Sequence, residues 1–213
     1  MGESVTVAIV EDDPDVLELH RLRLLEEYDV VTIADGTEAL HRIEDEDVLL
    51  LDRRLPGPDG DVVARRLRAE GYQGAIAMVT GERPEPAVAD LPVDDYVIKP
   101  IDRSELRSLV DRLLTRLDAP EPVREWFAMV SRRGRLEDAN DRMHLSDSSA
   151  YQSLVRRIDR QYRQIIGDAA SHDRIAKMAG NTLDPTIGLP DPVDGPRRNA
   201  RSIEATPGPG QEL

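Results

Sequence analysis

The sequence predicts an α/β fold, a doubly wound five-stranded parallel sheet followed by a small α-helical hairpin and a disordered tail. Two observations carry the first part. Short apolar runs alternate with segments of helical period, the pattern of βα units that build a parallel sheet. Polar residues also stand at the ends of those runs: Glu11 and Asp12 after VTVAIV, Asp52 after VLLL, Thr80 after AIAMV and Lys99 after DDYVI. The carboxyl ends of parallel strands share one edge, and open α/β sheets bind ligands there.

Val5–Val10, Val30–Ala34, Val48–Leu51, Ala75–Val79 and Tyr96–Ile98 read as the five strands. Asp13 before Pro14 starts the first helix, with a capping carboxylate and a proline whose missing N–H does no harm. That helix is expected to turn Leu17, Leu24, Leu25 and Tyr28 to the sheet. Between the fourth and fifth strands Pro84, Pro86 and Pro92 confine any helix to about Pro86–Leu91. Asp102 and Glu105 form a capping box for a last helix, whose Leu106, Leu109, Val110, Leu113 and Leu117 recur at helical spacing.

Pro120 and Pro122 close this unit, dividing the chain into residues 1–118, a linker over 119–122, a helical unit over 123–175 and a tail over 180–213. Val123–Leu145 and Ala150–Ala170 read as two helices, the second capped by Ser149 with Gln152 three residues on. Tyr151, Val155, Ile158, Tyr162 and Ile165 form an apolar seam that a lone helix cannot bury. The prolines are expected to limit coupling between the two units. The tail is rich in Pro and Gly and poor in large apolar residues, a composition of disorder.

With no cysteine, neither a disulfide framework nor a thiolate metal site can form. No signal-like start is seen and no apolar run approaches the roughly 20 residues of a membrane span, so the expected location is cytoplasmic, away from the membrane. Residues 1–118 hold 14 basic against 28 acidic residues, and the remainder is balanced, so the first unit carries the whole net charge of −14. Only Lys99 and Lys177 are lysines. An acidic surface that uses arginine fits an archaeal halophile, while a GC-rich genome produces the same arginine bias.

The order of the five polar residues, with VEDDPD, LDRRLPGPDG, VTG and YVIKP around them, resembles the receiver domain of two-component response regulators over about residues 1–118. The resemblance implies strand order 2-1-3-4-5. It makes Asp52 the phosphoacceptor, its carboxylate attacking phosphorus in a phosphorelay from a sensor histidine kinase. Asp12 becomes the direct Mg²⁺ ligand with Glu11 acting through water, because carboxylates on strands about 4.8 Å apart can share one ion. Asp52 and the backbone carbonyl of Arg54 complete the metal set. Lys99 is aimed into the site by a cis bond to Pro100. Thr80 donates its hydroxyl to the phosphoryl group, and Tyr96 then rotates inward. The shortened helix before the fifth strand belongs to the face receivers use for dimers, which puts the usual homodimer in doubt. Arg53 departs from the small or apolar residue common after the phosphoacceptor.

The block from EWFAMVSRRGRLEDAN through SAYQSLVRRIDRQYRQII resembles the HalX domain of haloarchaeal regulators, over about residues 121–172. Two readings follow. One is a switch, no enzyme beyond its own phosphorylation and dephosphorylation, whose helical unit meets an unidentified output protein. The other is a phosphorylation-controlled DNA-binding regulator. A phosphate sink is a third, minor reading. Arg132, Arg133, Arg135, Arg156, Arg157, Arg160 and Arg163 could touch nucleic acid, but interleaved acids make helix-surface arginines the favoured reading, and high salt weakens such binding.

Overall fold

The computed structural model describes residues 4–165 together with Ile175; the tail over 180–213 lies outside the described residues. Strands β1 (Thr6–Val10), β2 (Asp29–Ile33), β3 (Val48–Leu51), β4 (Ala75–Thr80) and β5 (Asp95–Ile98) form one parallel sheet in the order β2-β1-β3-β4-β5. Strands β3 and β4 are buried at every position, which is why they read as unbroken apolar runs. Four helices cover the sheet: α1 (Pro14–Leu24), α2 (Gly36–Arg42), α3 (Gly60–Glu70) and α4 (Arg103–Leu117).

Alternation along each strand divides the core in two. Val7, Ile9, Val48, Leu50, Ala75 and Ala77 pack with Leu24 of α1 and Leu106, Leu109, Val110 and Leu113 of α4. Ala8, Val10, Leu49, Leu51, Ile76 and Met78 face the other way, against Val63, Ala64 and Leu67 of α3. Asp13 caps α1 by accepting the amides of Asp15 and Val16, and the Asp102–Glu105 capping box is complete. Leu25, expected to face the sheet, is 42% exposed because it is the residue at which α1 ends; His20 takes a buried place on that face. The three prolines leave only a 3-10 helix, Pro86–Asp90, before β5.

The appended helices are α5 (Glu121–Ala139), α6 (Arg142–Ser146) and α7 (Ser149–Ile165). The single helix expected over Val123–Leu145 is therefore broken. Asn140 leaves α5 in extended backbone, and Asp141 starts α6 by accepting the His144 amide at 2.9 Å. Ser148 rather than Ser149 caps α7, its hydroxyl accepting the Tyr151 amide at 3.2 Å, while Gln152 donates to the Ser146 carbonyl at 2.6 Å. Of the seam, Ile158 is buried, Tyr151, Tyr162 and Ile165 pack against the core, and Val155 is only half-buried. Leu154 supplies the second fully buried side chain.

The two units are not separate. Trp126, Phe127, Met129 and Val130 of α5, with Leu154 and Ile158 of α7, share one apolar cluster with Val88, Ala89, Leu91, Val93 and Tyr96. The Trp126 ring stacks on Tyr162 at 5.3 Å and meets Phe127 edge-on at 5.1 Å. Weak coupling through a proline linker is thus corrected: the hairpin covers the 3-10 helix and β5 because its seam finds its apolar partner on this chain. Polar ties reinforce the join. Arg116 donates to the Asp94 carbonyl at 2.8 Å and Ser131 at 2.9 Å, and Asn140 donates to the Pro84 carbonyl at 2.9 Å.

Candidate functional site

Strand register brings the expected site residues to one edge. Val10 pairs with Leu51, Leu51 with Met78 and Thr80 with Ile98, so Glu11, Asp52, Thr80 and Lys99 all stand at or just beyond the last paired positions. Two backbone bonds hold this arrangement: the Asp52 amide donates to Val10 O at 2.9 Å and the Lys99 amide to Thr80 O at 2.7 Å. Gly60 lets α3 begin directly over the loop after β3, since a Cβ there would lie 2.2 Å from Asp52 O. The Lys99–Pro100 peptide is cis, as the sequence resemblance implies.

Lys99 is the centre of the charge cluster. Its ammonium donates to Asp52 Oδ1 at 2.7 Å and also to Glu11 Oε2. Asp52 Oδ2 accepts the Arg54 amide at 2.6 Å, so both carboxylate oxygens are engaged on a residue only 6% exposed. Burial raises the Glu11 pKa; the Lys99 ammonium partly offsets this and the Asp52 charge adds to it. Burial alone would lower the Lys99 pKa, but its bonds to Asp52 and Glu11 outweigh that and raise it. His20, buried beside the cluster, is pushed down to about 4 by burial, with the Lys99 and Arg23 charges acting in the same direction.

The donor set fits a hard divalent cation that keeps several waters and takes one or two carboxylates. Glu11 and Asp52 are joined through Lys99, and Asp12 is exposed beside them. Among the described residues no three His, Cys, Asp or Glu side chains are gathered as a ready metal cage. Lys99 meets the buried Glu11 and Asp52 carboxylates instead.

Thr80 is buried and accepts the Glu82 amide at 3.4 Å. Tyr96 is wholly buried, its hydroxyl donating to Glu82 O at 3.0 Å. The cover of α5 over β5 buries it, with α7 packed on α5 and on the 3-10 helix. Two contacts escaped sequence reasoning. Arg53 forms a two-pronged bond to Asp61, both prongs 3.0 Å, and Arg54 Nε donates to Glu82 Oε1 at 2.6 Å. Glu82 lies two residues beyond Thr80 in a loop without periodicity, so no pattern flagged it.

The family model for response regulator receiver domains matches residues 7–111. A candidate transcriptional regulator of Haloferax volcanii is 37% identical over 155 residues, covering 72% of this chain and 26% of that protein. The alkaline phosphatase synthesis transcriptional regulatory protein PhoP of Bacillus subtilis is 33% identical over 125 residues, 56% of this chain and 52% of its own length. The chain thus spans about half or less of these curated relatives. In fold it is similar to a CheY-like receiver domain protein of Methanospirillum hungatei, with a TM-score of 0.51 at 24% identity over 55% of this chain and 98% of that one. No helix among the described residues is long and apolar enough to cross a membrane. Family match, strand order and the acid–lysine edge agree, and over residues 7–111 this chain carries a response regulator receiver domain of two-component systems.

Proposed function

We propose that the chain is a phosphorelay response regulator in which Asp52 accepts a phosphoryl group from a sensor histidine kinase and the helical hairpin carries the change to an output protein. The observation that supports this best is the buried Asp52 carboxylate, held between the Lys99 ammonium and the Arg54 amide at the ligand-binding edge of the sheet. A carboxylate oxygen of Asp52 attacks phosphorus, a P–O bond forms, and the bond to the donor's imidazole nitrogen breaks with its electron pair going to nitrogen. Lys99 meets the charge on the phosphoryl oxygens. Asp12, Asp52 and the Arg54 carbonyl, with Glu11 through water, would hold a Mg²⁺ ion, which would further neutralise those oxygens.

Thr80 then turns its hydroxyl to the phosphoryl group. Because its oxygen accepts the Glu82 amide and the Glu82 carbonyl holds Tyr96, this movement reaches β5 and the helices packed on it. Tyr96 responds by adjusting its hydrogen bond rather than by rotating in from solvent. A homodimer through the 3-10 helix and β5 would first need α5 and α7 to leave that face.

We assign the helical unit to the HalX type on its sequence pattern; the Haloferax match, over 155 residues, is longer than the receiver alone. The names of the relatives favour a second reading, a DNA-binding transcriptional regulator. Side-chain use weighs against it: Arg132 is buried, Arg133 pairs with Glu137 and Arg135 with Asp95, leaving Arg156, Arg160 and Arg163 as exposed cations on α7. Hydrogen exchange and gel shift on phosphorylated and unmodified full-length protein at matched salt separate the readings. The switch reading expects altered amide protection in α5 and α7 without DNA retention. Phosphorylation-dependent retention of duplex DNA would reverse the order.

A further inference from the structure

We infer that Arg53 is a positioning residue that couples the phosphoacceptor loop to Tyr96, an inference that rests on Asp52 being the phosphoacceptor. Arg53 follows Asp52 directly, and the Gly60 amide pins its carbonyl at 2.8 Å, so its backbone cannot drift independently of the site. Its guanidinium reaches two segments beyond its own loop. Asp61, in the first turn of α3, takes the two-pronged bond, and the Glu82 carboxylate, just past β4, lies 3.4 Å away; the backbone carbonyl of that same Glu82 accepts the Tyr96 hydroxyl of β5 at 3.0 Å.

A planar guanidinium offers five N–H donors in fixed directions, so the two carboxylates together define its orientation. The side chain is 14% exposed, which spares these contacts much of the solvent screening that weakens surface pairs. Glu82 is the meeting point. Its carboxylate accepts from Arg53 and Arg54, the residues one and two after Asp52, while its amide donates to the Thr80 hydroxyl oxygen and its carbonyl accepts the Tyr96 hydroxyl. Any shift of the loop after β3 or of Glu82 on phosphoryl binding must reorient the Arg53 fork, and with it the Tyr96 hydroxyl. A residue that merely anchored the start of α3 would need Asp61 alone.

The test uses full-length protein with ring-labelled tyrosine, a small-molecule phosphodonor and Mg²⁺, with loading followed by intact mass and the Tyr96 resonance assigned through Tyr96→Phe. The parent should show a shift of the Tyr96 resonance on loading. Arg53→Gln should load at Asp52 to the same extent and lose that shift, whereas Asp61→Asn, which keeps the arginine, should retain it. Arg53→Lys, which restores charge but not the fork, should also lose the shift, and it decides the matter if Arg53→Gln does not fold. A full Tyr96 response in either Arg53 variant overturns the inference, as does equal loss in Asp61→Asn. Failure of the parent to take up phosphate refutes the phosphoacceptor reading together with this one; normal loading without the contrast between variants refutes this one alone.

Discussion

Arg116 and Asp95 form an ion pair sealed from solvent at the join between receiver and hairpin, Nη2 standing 3.4 Å from Oδ2 with side chains 1% and 0% exposed. Arg135 of α5 reaches the other oxygen of Asp95, also at 3.4 Å. Removing one member of such a network strands the rest in a low dielectric, at a cost of about 3–5 kcal/mol. Asp95→Ala should therefore lower the melting temperature sharply. The one tryptophan, Trp126, reports the hairpin while far-UV circular dichroism reports the whole chain, and both should move together.

Ile158→Asp tests the shared core. A carboxylate placed at this buried position lacks a partner and costs several kcal/mol, on the order of 3. Because Ile158 belongs to the cluster that includes Val88, Leu91 and Tyr96, the receiver should lose stability along with the hairpin. Chemical denaturation followed by both probes should show one early transition. Two transitions, with the receiver's unchanged, would contradict the continuous core.

His20 predicts an acid-sensitive window. Its folded pKa, about 4, lies below the ordinary histidine value of 6.5, so the unfolded chain binds the extra proton first. Stability contributed by neutral His20 is present above 6.5 and is lost as pH falls towards 4, by about 2 kcal/mol after allowance for partial screening. His20→Leu should flatten this part of the profile of melting temperature against pH. An unchanged slope would remove His20 as its cause.

Glu11 has the opposite sign. Burial raises its pKa in the fold, so the folded state holds the proton more firmly, and ionising Glu11 above its ordinary value of 4.5 costs stability. Glu11→Gln should melt at a higher temperature than the parent at neutral pH without Mg²⁺, yet need more Mg²⁺ for phosphorylation. Lower stability with an unchanged Mg²⁺ requirement would count against a metal role for this carboxylate.

Much of the site was legible because strand ends in a parallel sheet converge by topology, so Glu11, Asp52, Thr80 and Lys99 could be placed from their runs alone. The shortened helix before β5 was equally plain, since each proline removes an amide donor. What escaped depends on contacts distant in sequence. Arg132 is buried but reads as a helix-surface residue, because periodicity counts an arginine as polar wherever it packs. Leu154 fell outside the chosen seam because α7 turns a broader stripe to its neighbours than steps of three and four from Tyr151 mark out. The burial of Tyr96 follows from α5 lying on β5, a docking that no local pattern announces.

The central claim is that Asp52 is the phosphoacceptor, and intact-mass analysis with a small-molecule phosphodonor tests it most directly. The parent should gain one phosphoryl group in the presence of Mg²⁺ and none after chelation, and Asp52→Ala should gain none under either condition. Uptake by Asp52→Ala equal to that of the parent would contradict the account.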